Sequence, residues 1–275
     1  MSWRGQLALR YRREGDRTVA HDRHDGPLRV LQALYPEGPG ICQHVLVHPP
    51  GGIVGGDELA IDCELGEGAH ALVTTPGATR FYRSSGASAR QAARLAVGPE
   101  ARLEWLPLET LAYPDCIAEN RTTVDVRPGG EAMGWEVLAL GLPASAKPFD
   151  RGRFVQHLEV PGQWLDRGAI DAADTLLLDG APGLAGERVI ATMWFASGEP
   201  LPRARRDELL DAARAAIEAA GCMRAGATSP ASGVVVLRAL GQRVEPLMTL
   251  LLAVRSAWRT AAWGLAAHPP RIWRM

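Results

Sequence analysis

The chain has 275 residues, 47% of them hydrophobic and 22% charged, which excludes wholesale disorder. Its formal charge is -1 at pH 7, so nothing global favours nucleic acid or an anionic membrane as a partner. No stretch approaches the ~18 to 20 consecutive apolar residues of a membrane-spanning helix. The first five residues lack the apolar core of a secretory signal, so a cytoplasmic location is expected.

The first three quarters of the chain read as short strands separated by Gly/Pro punctuation. Strands are predicted at 43–48, 58–65, 69–75, 92–97, 102–106, 121–126, 133–140, 153–160 and 189–195, each four to eight residues long and rich in β-branched, aromatic or alternating residues. Turn chemistry lies between them at 36–40, 65–68, 97–100, 127–130 and 161–162. Strands spaced about ten residues apart, with no long helices between, point to a sandwich, a barrel or a β-solenoid. No repeated motif supports a formal solenoid repeat. After residue 200 the character changes. A helix is predicted over 203–220, with Leu209, Leu210, Ala213, Ile217 and Ala220 on one face and Gly221 as its stop. One more strand follows at 232–240. From Pro246 a second helix carries Leu247, Leu251, Val254, Trp258, Ala261 and Leu265, with Thr249, Arg255, Ser256, Arg259 and Thr260 as a thin polar face. Prolines 269 and 270 forbid helix in the tail. No linker is visible, so residues 1–275 are read as one mainly β domain with C-terminal helices.

Two loops stand out. Residues 48–57 (HPPGGIVGGD) hold four glycines and two prolines, a backbone with special φ values and close approach to something. No Gly-Lys-Ser/Thr follows, and the segment leads into a strand, which argues against a phosphate loop. A tight structural loop, or one presenting Asp57 or His48 to a cavity or interface, remains. Residues 74–86 (TTPGATRFYRSSG) combine hydroxyls, arginines and aromatics, the composition of a partner surface or of a plain loop. Ser84 and Ser85 have no G-x-S-x-G elbow and no triad partners in view, so a nucleophile is not indicated.

Metal-site signals are weak. Cys42, Cys63, Cys116 and Cys222 are scattered without a C-x-x-C pair, against a zinc knuckle or a disulfide framework. His44 and His48 sit on a strand, where residues four apart are about 13 Å from one another. The run His21-Asp22-Arg23-His24-Asp25 reads as a solvated loop, with loose binding of a cation as the alternative. Acidic residues within apolar strands are more informative: Glu104, Glu109 and Glu136, with Asp166 after Trp164-Leu165 and Asp57 closing the glycine loop. Alternation would leave half of them in solvent. Any that face inward must be paired, hydrated or neutral.

The chain resembles the urease accessory protein family UreD, called UreH in some organisms. The resemblance is carried nearly full length by Pro27-Leu28, Leu34 to Glu37, residues 48–57, residues 75–86 (TPGATRFYRSSG), 103–110 (LEWLPLET), 141–145, 149–153 (FDRGR) and 270–273 (PRIW). Leu108 and Leu142 depart from it, standing where a glutamine and an arginine are common. The resemblance implies a two-layered, helix-like stack of short strands and a non-enzymatic scaffold of urease maturation. Its partners would be UreF, the GTPase UreG through UreF, and the apo-urease subunits, with neither nucleic acid nor membrane. It implies no permanently bound cofactor, but transient passage of nickel along Asp57, Thr79, Glu136 and Asp166. Weak carboxylate contacts let Ni²⁺ move on, where a His/Cys chelate would hold it. Arg80, Tyr82 and Arg83 in the second loop, and Trp258, Arg271 and Trp273 near the C-terminus, are expected to touch partners, and poor solubility without UreF follows. Two other classes compete: a generic interaction module with no metal role, and a carbohydrate-active β enzyme, which needs an aromatic-lined cleft that 6% aromatic residues only modestly supply.

Overall fold

The protein is described by a computed structural model covering residues 2–221 and 224–274; Cys222 lies outside the described residues. In chain order the strands are β1 (Arg4–Glu14), β2 (Arg17–Asp25), β3 (Arg29–Val30), β4 (Ile41–Val47), β5 (Glu58–Leu65), β6 (His70–Thr74), β7 (Thr79–Phe81), β8 (Ala89–Val97), β9 (Arg102–Leu106), β10 (Thr110–Ala112), β11 (Cys116–Val126), β12 (Glu131–Leu140), β13 (Gly152–Val160), β14 (Trp164–Asp171), β15 (Val189–Ser197), β16 (Arg224–Ala231) and β17 (Val234–Gly241). Helices are α1 (Thr175–Asp179), α2 (Arg203–Ala220) and α3 (Val244–Trp263), with 3-10 turns at Pro143–Ser145 and Arg271–Arg274.

From β4 to β13 the chain alternates between two sheets, adding a strand to each in turn. One sheet has the order β14-β13-β11-β8-β5-β1-β2, and the other β16-β17-β15-β12-β9-β6-β4-β3. The strands β5, β8, β11 and β13 pair in parallel, as do β4, β6, β9 and β12. This is a two-layered β-solenoid, one of the three architectures that the strand spacing allowed and the one that the resemblance implied. Antiparallel strands finish it: β1 with β2 at one end, β13 with β14 and β15-β17-β16 at the other. Among the described residues, no helix is long and apolar enough to cross a membrane.

The burial patterns follow from three layers. In the first sheet β5 alternates buried with exposed or half-exposed residues, because one face meets the other sheet and one meets water. In the second sheet β6 and β15 are almost continuously buried. Its inner face packs on the first sheet around Leu103, Trp105, Ala132, Leu138 and Leu140. Its outer face carries Leu72, Leu106, Met133, Trp135 and Val137 against Leu209 and Ala213 of α2 and Leu250, Leu251 and Val254 of α3.

Several expectations change. β1, β14 and β16 were not predicted, and residues 21–25, read as a loop, belong to edge strand β2, although all five are exposed. α2 matches its predicted range, and Gly221 ends it at φ 78°. α3 begins at Val244 and ends at Trp263, where Gly264 (φ 64°) caps it, so Leu265 lies beyond the helix. Arg255 and Arg259, assigned to a polar face, are fully buried instead.

Candidate functional site

A cavity of about 350 Å³ lies between the two sheets, with the two unusual loops at its rim. His48, Gly51 and Gly52 come from the first loop, and Thr75 to Arg80 from the second. Strand pairing shows how the interior becomes polar. Glu136 of β12 lies opposite Thr192 of β15, which lies opposite Arg238 of β17. Residues directly paired across a ladder share one face. For β12 that face is the inter-sheet one, since Ala132, Leu138 and Leu140 lie in the core between the sheets. On the first sheet, Thr122 (β11), Leu158 (β13) and Asp166 (β14) form the corresponding row, with Gln91, Asn120 and Gln156 beside it. Gln91 Nε2 donates to Asn120 Oδ1 at 3.2 Å. A polar strip thus runs from the cavity through an otherwise apolar layer. Its outer end is closed by an ion pair between Arg238 and Asp166, which joins the two sheets.

Glu136 is the chemically unusual member of the strip. Both its oxygens are buried and neither has a hydrogen-bond partner; Gln156 Nε2 is likewise alone. Burial pushes its carboxyl up to about 8; the nearby Thr122 hydroxyl, which approaches without completing a hydrogen bond, offsets this in part, and the charge of Asp166 adds to it. An unpaired carboxylate in an apolar layer is costly, so at neutral pH the group holds its proton.

The other residues implied for nickel are placed differently. Thr79 lines the cavity from β7. Asp57 is buried but is not in the cavity wall. Its Oδ1 accepts from the Trp3 amide at 2.8 Å and its Oδ2 from the Val54 amide at 3.0 Å. Its carboxylate therefore pins the glycine loop to the start of β1. Asp166 stands at the outer end of the strip, engaged by Arg238.

The residues expected at partner surfaces divide as well. Arg83 is exposed and Arg80 and Tyr82 are half-buried. The Tyr82 ring stands edge-on to Tyr113 at 4.8 Å. Arg80 donates to the Gly51 carbonyl at 3.3 Å and faces the cavity. Arg271 is exposed. Trp273 is half-buried: its Nε1 donates to Thr74 Oγ1 at 2.9 Å, and its ring packs 5.8 Å from that of Trp135. Trp258 corrects the expectation. It is fully buried, donates to the Leu209 carbonyl at 2.8 Å and packs edge-on to Phe195. Its role is to lock α3 onto α2 and the sheet, and no partner reaches it in the folded chain.

The two rim loops are built against each other. A Cβ on Gly52 would lie 2.1 Å from the Tyr82 ring, and one on Gly55 2.2 Å from Ser84 Oγ and 2.7 Å from the Ala87 carbonyl. Only glycine permits this approach. Gly52→Ala is expected to cost about 1–3 kcal/mol by overpacking. A lowered midpoint in urea unfolding, with an unchanged slope, would register it.

A cluster that sequence reasoning missed lies on the helix side of the second sheet. Glu104 of β9, fully buried, accepts from Arg255 Nε at 2.7 Å, with Arg259 Nε at 3.5 Å and His70 Nε2 at 3.6 Å. Arg259 also donates to Glu37 at 2.8 Å, and Glu37 accepts from Gln43 Nε2 at 2.8 Å. Burial alone would raise the Glu104 carboxyl; His70, Arg255 and Arg259 pull the other way and bring it to about 2. Burial lowers His70, which stays neutral. The signal available in the sequence was Leu103-Glu104-Trp105. Alternation turns Glu104 away from the inter-sheet core, but helix α3 covers that second face.

The chain matches the sequence profile of the family described as UreD urease accessory protein over residues 4–274. It is similar to the urease accessory protein UreD of Paracidovorax citrulli, with 60% identity over 276 residues and 100% of both chains covered. The protein of the same name from Leptothrix cholodnii is 58% identical over 277 residues, again with 100% of each covered. That of Variovorax paradoxus is 57% identical over 274 residues, covering 99% of each.

Proposed function

The chain belongs to the UreD family of urease accessory proteins, and from that premise we propose how it serves urease maturation. It is an accessory protein and not an enzyme, which sets aside the carbohydrate-active alternative. In the proposal it acts in the cytoplasm with UreF and, through UreF, the GTPase UreG. Together they dock on apo-urease and assist the entry of nickel into its active site.

The passage reading is supported by one observation above the others: the unpartnered carboxyl of Glu136 within a polar strip between the sheets. Nickel would be cargo here. Hydroxyl, amide and carboxyl oxygens replace part of a dication's hydration without gripping it. Among the described residues, no group of three or more His, Cys, Asp or Glu is arranged to hold a metal ion. In this reading Thr79 stands at the cavity, Glu136 midway and Asp166 at the far end. Asp57 acts indirectly, by holding the rim loop.

The role is tested in cells carrying the urease operon with this gene deleted and then restored. Urease protein is expected to accumulate without nickel or activity until the gene returns. Fully active urease in the deletion strain would overturn the reading.

A further inference from the structure

Beside the cavity, on the outer side of the same two loops, lies an open cleft of about 590 Å³. Its floor is aromatic, made by the edge-on pair Tyr82 and Tyr113, with Val54 and Pro114 beside them. Its charged groups are Arg83, Lys147 and Asp115. Asp115 is paired with Arg151 at 3.2 Å. Among the described residues, neither Arg83 nor Lys147 has a carboxylate within 4.0 Å, and both are exposed. The cleft therefore presents two unengaged cations alongside aromatic rings.

The frame that holds these groups is tied together by backbone hydrogen bonds. The Tyr82 amide donates to the Ile53 carbonyl at 2.9 Å, the Ser84 amide to Asp115 at 2.9 Å and the Asp115 amide to Arg151 at 2.7 Å. Two of the non-glycine residues with positive φ are here, Asp115 at 63° and Ala146 at 55°, next to Lys147. Such backbone is tolerated when the surroundings fix it, and it clusters at functional places.

We infer that this cleft docks an acidic segment of a partner protein, carboxylates on Arg83 and Lys147 and apolar side chains on the tyrosine floor. Charge complementarity carries the choice. A carboxylate gains charge-assisted hydrogen bonds from both cations, and tyrosine with arginine is the usual anchor pair of an interface. A membrane surface is a poor match, since recognition of anionic lipid takes clusters of about 4–8 basic residues. The inference rests on the maturation reading and adds the chemistry of the contacting segment.

Lys147 makes a direct test available, because it is the only lysine in the chain. A carbodiimide joins an amine to a carboxylate in contact with it. Applied to the assembled complex with the accessory partners and apo-urease, it is expected to link Lys147 to an Asp or Glu of a partner. Lys147→Arg keeps the charge and should lose the link while the complex persists. The double reversal of Arg83→Glu with Lys147→Glu should weaken assembly by about tenfold or more, with less salt dependence than the wild type. Both sites are exposed, and an unchanged melting curve excludes unfolding as the cause. Linkage only to carboxylates of this chain or of a second copy, or assembly unaffected by the double reversal, overturns the inference. If the complex forms and urease is activated under those outcomes, the scaffold role survives alone. If the wild-type chain assembles with none of the partners, the maturation reading itself fails.

Discussion

Glu104→Ala is expected to be among the most destabilising single substitutions in this protein. It leaves Arg255 and Arg259, each 1% exposed or less, facing one another's charge in a dry layer. Removing one member of a buried ion pair typically costs about 3–5 kcal/mol, because the partner stays buried and uncompensated. Even at the low end that is about a fifth of the roughly 5–15 kcal/mol that holds a domain together. The loss should appear first where α3 meets the second sheet, as early hydrogen exchange of α3 amides, and then as a lowered melting temperature. A paired change separates charge from packing. Glu104→Gln with Arg255→Met removes one charge of each sign and leaves Arg259 with Glu37, 2.8 Å away. The double variant is expected to recover more than half of the loss caused by Glu104→Gln alone. If the two changes simply add, the cluster is not an ionic unit.

The same group sets an acid limb. The Glu104 carboxyl lies near 2 in the folded chain against an ordinary value of 4.5. On acidification the unfolded chain takes the proton first, so acid favours unfolding. The stabilisation is complete above about pH 4.5 and drains away as the pH falls towards 2. Glu104→Gln should flatten the stability curve in that window and leave its shape near neutrality unchanged.

Much of the β architecture was legible because its signals are local. The strand ends that flank the turns at 65–68, 97–100 and 127–130 fall within two residues of their expected places, although β8 and β11 begin three and five residues earlier than expected. What escaped was local too: in β1, Leu7, Leu9 and Tyr11 alternate with Gln6, Ala8, Arg10 and Arg12 and are all buried. The helix faces failed for a different reason. Arg255 and Arg259 sit at helical spacing for a polar face, and periodicity cannot tell water from a buried carboxylate brought from β9, some 150 positions away in sequence. The same limit governs the candidate site. Glu136 was visible as an acid in an apolar strand, whereas Arg238, which closes the strip, becomes meaningful only when its side chain is seen to reach from β17 across to Asp166 on β14 of the other sheet. Asp57 had the right sequence surroundings, but its hydrogen bonds to Trp3 and Val54 show a carboxylate already engaged.

Glu136→Gln is expected to separate stability from function. The glutamine has nearly the same shape, so the strip between the sheets stays intact and the complex should assemble. In the folded wild type the carboxyl is raised to about 8 from 4.5. Between these values the folded chain holds a proton that the unfolded chain has released, so stability falls as the pH rises from about 4.5 to 8 and then levels off. The amide does not titrate. The variant should therefore match the wild type near pH 4.5 and exceed it at pH 8, measured as urea midpoints at the two pH values. Nickel passage should respond in the opposite sense, since an amide cannot give up a proton and bind a dication as an anion. Urease activation is expected to fall by about 10- to 100-fold, the range typical when groups around a metal are altered. Urease nickel content should fall in parallel while the complex still co-purifies. Undiminished activation by Glu136→Gln would remove Glu136 from any nickel route and leave the interaction scaffold as the chain's whole contribution.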